Sequence, residues 1–318
     1  MSPPESLPAS GIIVVGPTAC GKSQLGIALA RAVNGEIVSC DSVLVYRGFD
    51  IGSAKPSPME RAGVPHHLID VADWSDDYDT GTWAQDAKRI VGDICARGQV
   101  PIIVGGTGLY LRAFLGEGFH TDLQRDDAFR ASMADVSNAD LHQRLIALDP
   151  ERAAEIHAND RYRTLRALEL LHVFGRPLRE RPAATSNPTS PGADIAWFRI
   201  MLEPARDVLH ARIAARTSAM LAQGFVEEVR GLLAAGCPVS AKPMQAIGYR
   251  QIAEFLTGEA PAEELENRIR AATRQYAKRQ CTWFRNADFA LRLTDAPDPQ
   301  AISQAFVEFV RTLPSRKS

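Results

Sequence analysis

A glycine-rich motif near the start of the chain constrains the fold more than any other feature of the sequence. Residues 16–23, GPTACGKS, fit the pattern G-x-x-x-x-G-K-[ST]. The apolar run at residues 12–15 precedes this motif, and residues 24–33 follow it with apolar side chains at helical spacing. A strand, a loop and a helix in that order form a phosphate-binding loop, in which backbone N–H groups and the helix N-terminus attract an anion. The motif therefore predicts a site for a di- or triphosphate.

The residues of this loop have distinct expected roles. Its glycines let the backbone amides turn toward an anion, Lys22 reaches the phosphate oxygens, and the Ser23 hydroxyl is a ligand for Mg²⁺. The predicted diphosphate-binding set is the whole loop, namely Gly16, Pro17, Thr18, Ala19, Cys20, Gly21, Lys22 and Ser23. The pattern does not identify the phosphate compound or the reaction.

Composition restricts the class of protein. The chain has 318 residues, of which 45% are hydrophobic and 23% charged, and this is typical of a globular protein with one large or two medium domains. The formal net charge of −2 argues against a protein that coats nucleic acid, but it allows a local basic surface. The five cysteines form no C-x-x-C pair, and no targeting segment or membrane span is recognisable. We therefore expect a cytoplasmic protein that does not bind a membrane.

Strand and helix patterns alternate beyond the phosphate loop. Strands are predicted at residues 36–39, 68–71, 100–104 and 196–202, with a late strand within 287–293. The alternation predicts an α/β fold, a P-loop NTPase-like core with a parallel sheet. Residues 120–195 show only helical patterns and then a Pro/Ser/Thr-rich connection at 182–194. We interpret them as an inserted all-helical domain, with residues 1–119 and 196–318 forming the core.

Polar residues follow several of the predicted strands, at the edge where parallel sheets bind their ligands. Asp41 is a candidate for a general base or a water-mediated Mg²⁺ ligand, and a turn-stabilising role is an equal alternative. Asp70 is a rival carboxylate on the metal side. Thr107 lies in the sequence GGTG at residues 105–108, which is either a second anion-binding turn or a tight connection between strand and helix.

Two stretches of the sequence are rich in arginine. Residues 159–166 read NDRYRTLR, and residues 268–292 place Arg270, Arg274 and Lys278 four apart on one helical stripe. Aromatic residues lie between the basic ones, which is typical of a surface for RNA phosphates and stacked bases. A solvated helix face with ion pairs, such as Glu266 with Arg270, explains the composition equally well.

Taken together, these stretches resemble the tRNA dimethylallyltransferase (tRNA isopentenyltransferase) family, in its bacterial form. The matching segments are GPTACGKS, SCDSVLVYRGFDIGSAKP, GVPHHLID, IIVGGTGLYL, NDRYRTLRALEL, AIGYRQ and ATRQYAKRQCTWFR, in the family's order over residues 11–286. The resemblance implies transfer of a dimethylallyl group from dimethylallyl diphosphate to N6 of an adenosine. In this family that adenosine lies just 3′ of the anticodon, in tRNAs that read codons beginning with U.

The resemblance also implies roles for individual residues. The phosphate loop would hold the prenyl diphosphate with Mg²⁺, and Lys22, Asp41, Thr107 and Arg216 would be catalytic. Asp41 matches the general base, and Arg216 matches a diphosphate-binding arginine for which Arg212 competes. The residues expected to contact tRNA are Asp41, Ser42, Val43, Leu44, Thr107, Tyr162, Arg163, Thr164, Leu165, Arg166, Ala246, Ile247, Gly248, Tyr249, Arg250, Gln251, Arg270, Arg274 and Lys278. We expect a monomer whose inserted domain clamps the anticodon stem-loop.

Other functions remain open at this stage. An enzyme that prenylates free adenine nucleotides would need no large basic surface, and a P-loop small-molecule kinase leaves both arginine-rich stretches unexplained. A nucleotide-switched RNA-binding module without catalysis would be unaffected by Asp41→Asn.

Overall fold

The computed structural model describes residues 9–116, 126–175, 177, 195–294 and 298–313. In this part of the chain the strands form one sheet in the order β3-β2-β4-β1-β5-β6. Their bounds are β1 Ser10–Val15, β2 Gly35–Cys40, β3 His66–His67, β4 Val100–Gly105, β5 Ala196–Leu202 and β6 Leu291–Leu293. Each neighbouring pair runs parallel. The predicted α/β fold with a parallel sheet is therefore confirmed.

Helices precede, connect and follow these strands. Their bounds are α1 Lys22–Val33, α2 Pro58–Arg61, α3 Thr80–Ala96, α4 Gly108–Leu115, α5 Asp127–Ser132, α6 Asn138–Leu148, α7 Pro150–Glu155, α8 Arg161–Phe174, α9 Arg206–Ala222, α10 Phe225–Ala234, α11 Tyr249–Leu256, α12 Ala262–Phe284 and α13 Pro299–Thr312. A short 3₁₀ helix, Pro243–Gln245, precedes α11. Among the described residues, no helix combines the length and the hydropathy that a bilayer crossing requires.

The register of the sheet brings three strand ends together. Val15 at the end of β1 and Cys40 at the end of β2 both pair with Gly105 at the end of β4. The residues that come next in the chain are the phosphate loop, Asp41 and the Gly106–Thr107 turn. Because parallel strands point their carboxyl ends the same way, these segments share one edge of the sheet.

Alternate residues of the central strands bury apolar side chains on the two faces of the sheet. Ile12 and Val14 of β1 belong to a core cluster that includes Leu29 of α1 and Phe306 of α13. Trp83 of α3 is fully buried and stacks on Tyr110 of α4 with a centroid separation of 4.8 Å. Its indole Nε1 donates a hydrogen bond to Ser39 O, which fixes α3 against β2. The phosphate loop and the Gly106–Thr107 turn therefore both extend from packed elements.

The predicted third strand at residues 68–71 is wrong. β3 consists of His66 and His67, which pair with Ile37 and Val38 of β2. Leu68 and Asp70 have φ angles of 59° and 58°, and this left-handed backbone cannot continue a strand. The Asp70 amide donates to Leu44 O instead, so the segment binds the loop after β2 rather than the sheet.

The chain divides into two compact units, one of Met1–Leu115 with Thr189–Ser318 and one of Gly116–Pro188. The larger unit contains the sheet. The described part of the smaller unit contains α5 to α8, whose core includes Leu141, Leu145, Ile156 and Leu168. The predicted domain boundary at residue 119 and the polar connection at residues 182–194 lie outside the described residues.

A buried carboxylate organises the smaller unit. Glu169 on α8 has a fully buried side chain and forms ion pairs with Arg130 at 2.8 Å and Arg166 at 2.7 Å. It also accepts a hydrogen bond from the Asp126 amide, at the start of α5. Although burial raises the pKa of Glu169, the hydrogen bonds from Arg130 and Arg166 outweigh it and lower the pKa to about 2. The arginine-rich stretch therefore has a structural function in addition to any contact with RNA.

Candidate active site

The phosphate loop joins β1 to α1 in a conformation that depends on its glycines. Gly16 has φ of 155°, and a Cβ there would lie 2.5 Å from Leu202 O and 2.8 Å from Cys20 Sγ. Gly21 is left-handed with φ of 97° and forms no side-chain cap at the start of α1. The N-terminal amides of a long helix are thus not capped by a side chain, which is the arrangement that attracts phosphate.

Lys22 and Ser23, the first two residues of α1, are the polar side chains of this loop. The Lys22 ammonium group donates to Pro17 O at 2.6 Å and lies 3.8 Å from Cys20 Sγ, so it folds over the loop. Ser23 is exposed and lines the same cavity as Lys22. The Lys22 ammonium group and the Ser23 hydroxyl therefore accompany the N-terminal amides of α1.

Two neighbouring cavities of the larger unit open beside the loop. The larger has a volume of about 820 Å³ and is lined by Lys22, Ser23, Gly105 and Gly106. The smaller has a volume of about 310 Å³ and an apolar wall that includes Ile213, Met220, Phe225, Ile247 and Ile269. Both cavities are lined by Thr18, Ala19, Asp41, Ser53, Arg216 and Tyr276. These shared residues mark the place where the space beside the phosphate loop meets the space with the apolar wall.

Asp41 stands at this junction and stabilises a turn there. Its Oδ1 accepts hydrogen bonds from the amides of Val43 at 2.8 Å and Leu44 at 3.3 Å. Its Oδ2 accepts none from the described part of the chain. The turn role and a role as a base are therefore compatible, because each can use a different oxygen.

Thr107 follows β4 and lines neither cavity, although Gly105 and Gly106 before it line the larger one. Its amide donates to Cys40 O at 3.3 Å, which ties the turn to the end of β2. Its hydroxyl is buried and makes no hydrogen bond of ordinary geometry within the described residues, although Tyr276 lies beside it. Burial, with a further effect from Asp41, raises the pKa of Tyr276 to about 12, so this phenol remains a hydrogen-bond donor.

The two arginines proposed for the diphosphate both reach the loop region. Arg216 on α9 lines both cavities, and burial lowers its pKa while the charge of Asp41 opposes that effect. Arg212, one turn earlier, is exposed and lines the larger cavity but not the smaller one. Its guanidinium donates a hydrogen bond to Cys20 O at 3.4 Å. Arg216 is the more buried of the two and the one closer to Asp41, and its assignment to the diphosphate stays a prediction.

Asp70, the rival carboxylate, has a structural partner instead. The side chain of Lys55 is 5% exposed and pairs with Asp70 at 2.5 Å and with Asp50 at 2.6 Å. Asp70 lines neither cavity. The geometry therefore favours an ion pair that fixes the loop after β2, and not a place beside a metal.

The glycines of the GGTG turn permit close packing. A Cβ at Gly105 would overlap the backbone of Cys40, and one at Gly108 would overlap the indole of Trp283. At Gly106 it would overlap the amide of Gln280 on α12. The close approach of strand end and helix explains these glycines, and a second anion site in the turn stays a prediction.

The residues expected to bind tRNA are only partly brought together. Ser42, Val43, Ala246, Ile247 and Tyr249 line the smaller cavity, and Leu44 lines the larger. Tyr249 and Gln251 are buried, with Tyr249 Oη donating to Glu228 at 2.7 Å and Gln251 Oε1 accepting from the amide of Gly248 at 2.7 Å. Arg250 is exposed and lies 3.7 Å from Glu254. Tyr249 and Gln251 therefore have structural functions in the fold.

The two arginine-rich stretches differ in what they expose. In the smaller unit Tyr162 and Arg163 are exposed, whereas Thr164 is buried and Leu165 packs against the core. On α12, Arg270 bonds Glu266 and Ser218, as the ion-pair alternative expects. Arg274 and Lys278 are exposed and form no ion pair among the described residues. The contact of either stretch with tRNA stays a prediction.

Sequence reasoning missed two residues that shape the site. Glu228 on α10 accepts hydrogen bonds from the consecutive amides of Asp50, Ile51 and Gly52, at 3.1, 2.6 and 3.2 Å. Gln280 on α12 contacts both the phosphate loop and Gly106. Their partners lie more than 170 residues away in the chain, and no local pattern could have revealed these contacts.

The residues present fit a magnesium ion that is held together with a phosphate ligand. The described residues contain no group of three or more His, Cys, Asp or Glu side chains able to hold a metal. Mg²⁺ needs no such group when it binds substrate phosphates, because one or two protein oxygens and several waters complete its coordination. The Ser23 hydroxyl in the larger cavity is a suitable ligand.

Comparison with known proteins gives concordant results. The family described as IPP transferase matches residues 44–287. A tRNA dimethylallyltransferase of Syntrophobacter fumaroxidans is 45% identical over 295 residues, which cover 92% of this chain and 85% of that protein. The crystal structure of the tRNA isopentenylpyrophosphate transferase of Bacillus halodurans has a TM-score of 0.68 and 34% identity, and covers 95% of this chain and 97% of that one. A structure of a eukaryotic dimethylallyltransferase acting on tRNA has a TM-score of 0.80 and 27% identity, and covers 98% of this chain and 81% of that one.

Proposed function

The chain belongs to the IPP transferase family and is a prenyltransferase that modifies tRNA, and we propose that its reaction takes place where the two cavities meet. It transfers the dimethylallyl group of dimethylallyl diphosphate to N6 of the adenosine 3′ to the anticodon, in tRNAs that read codons beginning with U. The product is N6-isopentenyladenosine. The observation that carries the placement is the set of residues shared by both cavities, which includes Thr18, Asp41 and Arg216.

The larger cavity binds the diphosphate of the donor. The amides of the phosphate loop and the N-terminus of α1 surround it, and Lys22 and Arg216 add positive charge from two sides. As the bond between C1 and the diphosphate oxygen breaks, negative charge grows on the leaving group, and these fixed donors stabilise it. Ser23 would hold Mg²⁺ together with the donor, and the ion would supply further neutralisation of that charge.

Asp41 acts as the general base. The N6 lone pair forms the new bond to C1, the diphosphate leaves with the electrons of the C–O bond, and one N6 proton passes to the carboxylate. Oδ1 stays engaged with the amides of Val43 and Leu44, which holds the side chain in place. Oδ2 is the oxygen that receives the proton.

The adenine reaches this junction after it leaves the anticodon-loop stack, which costs a few kcal/mol at most for an unpaired base. The Thr107 hydroxyl is buried and makes no hydrogen bond of ordinary geometry to the described part of the chain, and it hydrogen-bonds at the meeting of base and diphosphate. The apolar wall of the smaller cavity excludes water from the reacting atoms.

The protein binds the anticodon stem-loop from exposed basic residues. Arg274 and Lys278 on α12 provide one surface, and Tyr162 and Arg163 of the helical unit provide another. We propose that the enzyme acts as a monomer. We place it in the cytoplasm, where tRNA and dimethylallyl diphosphate are both available.

The reaction is tested by incubating the protein with Mg²⁺, unmodified tRNA and dimethylallyl diphosphate, and then weighing the nucleosides of the digested tRNA. We expect one adenosine heavier by a dimethylallyl group, and no product when AMP replaces tRNA. Product formed on AMP would instead identify an adenylate isopentenyltransferase. ATP consumption without a mass shift would identify a kinase and contradict the proposal.

A further inference from the structure

Gln280, on α12, connects the two loops that flank the proposed reaction site. Its side-chain Oε1 accepts a hydrogen bond from the Thr18 amide at 2.8 Å, and its Nε2 donates to Gly106 O at 3.0 Å. Thr18 belongs to the phosphate loop, and Gly106 directly precedes Thr107. A single side-chain amide therefore joins the phosphate loop to the turn that carries Thr107, and all three residues that form these contacts line the larger cavity.

The surroundings of this amide leave it little freedom. Gln280 is 6% exposed, so water does not compete readily for its two hydrogen bonds. A Cβ at residue 106 would overlap Nε2, would lie 3.3 Å from Cδ of Gln280 and would lie 3.1 Å from Gly16 O. Because Gly106 has no side chain, it leaves the space that the Gln280 amide occupies.

The hydrogen bond from the Thr18 amide to Gln280 also determines the direction of one phosphate-loop N–H group. Anions bind such loops through N–H groups that point inward. The Thr18 N–H points to Gln280, and the remaining amides of the loop are arranged around that fixed residue. The same helix carries Arg274 and Lys278, so one rigid element joins the proposed RNA surface to the donor loop.

We infer that Gln280 is a positioning residue for prenyl transfer, an inference that rests on the proposed function. Its amide holds the phosphate loop and the Gly106–Thr107 turn at a fixed separation, so that C1 of the donor and N6 of the adenine meet at bonding distance. Small errors in such a separation cost large factors in rate, because the reacting atoms must be about 3 to 3.5 Å apart. Gln280 itself touches neither reacting atom.

The test is a double-mutant cycle between positions 106 and 280 in the full-length protein. In Gly106→Ala the new methyl group displaces the Gln280 amide, and in the double variant that overlap is gone and the methyl group keeps only a close contact of 3.1 Å with Gly16 O. We expect each single variant to lower kcat/KM for dimethylallyl diphosphate about tenfold to a hundredfold. The double variant should lose about as much as Gln280→Ala alone, because the two changes break the same contact.

Three further measurements separate positioning from general stability. In Gln280→Ala the Kd for an anticodon stem-loop RNA should stay close to that of the wild type, and the Tm should fall by only a few degrees, because the Thr18 amide and Gly106 O lose one hydrogen bond each. Gln304→Ala, a matched change at an exposed position of α13, should keep full kcat/KM. Gln280→Met, which keeps the length and loses both polar groups, replaces the alanine variant if that variant does not fold.

Several outcomes would overturn the inference. If the factors by which the two single variants lower kcat/KM multiply in the double variant, the two positions act independently. A parallel fall in Tm, RNA affinity and rate would show a structural role alone. If the wild type prenylates tRNA and Gln280→Ala does so equally well, Gln280 does not position the loops, whereas no transfer by the wild type would refute the proposed function itself.

Discussion

In the proposed mechanism, Asp41 serves both the fold and the reaction. Its Oδ1 is used by the turn after β2, and its Oδ2 accepts no hydrogen bond from the described residues. A base held by two backbone amides cannot rotate freely, so its second oxygen keeps a fixed direction toward the junction of the cavities. The turn role that the sequence offered as an alternative is thus a reason for the precise placement of the base.

Glu228 positions the loop that forms part of the cavity wall, and its replacement should harm that loop. Glu228→Gln loses the charge and one of the acceptor oxygens that bind the Asp50, Ile51 and Gly52 amides and the Tyr249 hydroxyl. We expect the free energy of unfolding to fall by about 1 kcal/mol, the low end of the range for donors left unsatisfied, because these donors are at most partly buried. Urea denaturation measures this change.

The control for Glu228 is the residue before it. Glu227 is exposed and pairs with Arg230 one helical turn away, a type of ion pair that contributes little to stability. Glu227→Gln should leave the denaturation midpoint unchanged. Equal midpoints for the two variants would contradict the special role of Glu228.

Glu169 makes the smaller unit sensitive to acid. Its pKa lies at about 2, below the value of 4.5 for a free glutamate, so the stability that its ion pairs contribute is fully present above pH 4.5. That stability is lost as the pH falls toward 2. We expect Glu169→Gln to be less stable than the wild type by on the order of 3 kcal/mol at pH 7, and the difference to narrow below pH 4.5. Urea denaturation followed by circular dichroism at several pH values would test this, and a constant difference would contradict it.

At the scale of elements, α12 combines the most functions. It closes over the GGTG turn through Gln280 and Trp283, lines both cavities through Tyr276, and exposes Arg274 and Lys278. The four-residue spacing of its basic side chains was visible in the sequence. The sequence did not reveal which of these side chains are available to RNA, because Arg270 forms a hydrogen bond with Ser218, a residue of α9.

Basic residues on α12 should therefore differ in their effect on RNA binding. Arg274→Ala and Lys278→Ala should each weaken binding of the anticodon stem-loop and reduce the slope of log K against log salt by about one. Arg270→Ala should change the slope less, because Glu266 and Ser218 already hold this guanidinium. Fluorescence titrations at several salt concentrations provide the slopes. Identical slopes for all variants and the wild type would mean that the stripe is only a solvated face.

The elements themselves were largely predictable, with one instructive error. The strands β1 and β4 contain continuous apolar runs, β2 and β5 are largely apolar, and the sequence pattern placed all four correctly. Residues 68–71 look like a strand, but Leu68 and Asp70 adopt left-handed backbone to reach the loop after β2 and the buried Lys55. Tertiary contacts outweighed local preference there.

For the whole molecule, the sequence predicted the fold and the local motifs better than the site's long-range contacts. The phosphate loop, Asp41 and Thr107 each follow a strand, so the rule for parallel sheets was enough to expect them at one edge. The bonds of Glu228 and Gln280 join residues far apart in the chain, and they depend on how α10 and α12 pack. The sequence pattern alone cannot identify pairs of residues that are so far apart in the chain.

The central claim is that Asp41 removes the N6 proton, and Asp41→Asn tests it most directly. Asparagine keeps an oxygen for the Val43 and Leu44 amides, so the turn and tRNA binding should persist, while the base is lost. We expect the single-turnover rate of prenyl transfer to fall by about 10²–10⁴, with Asp73→Asn, a matched change at an exposed aspartate outside both cavities, as the control that retains the rate. Transfer by Asp41→Asn at the wild-type rate, with tRNA and donor bound, would contradict the account.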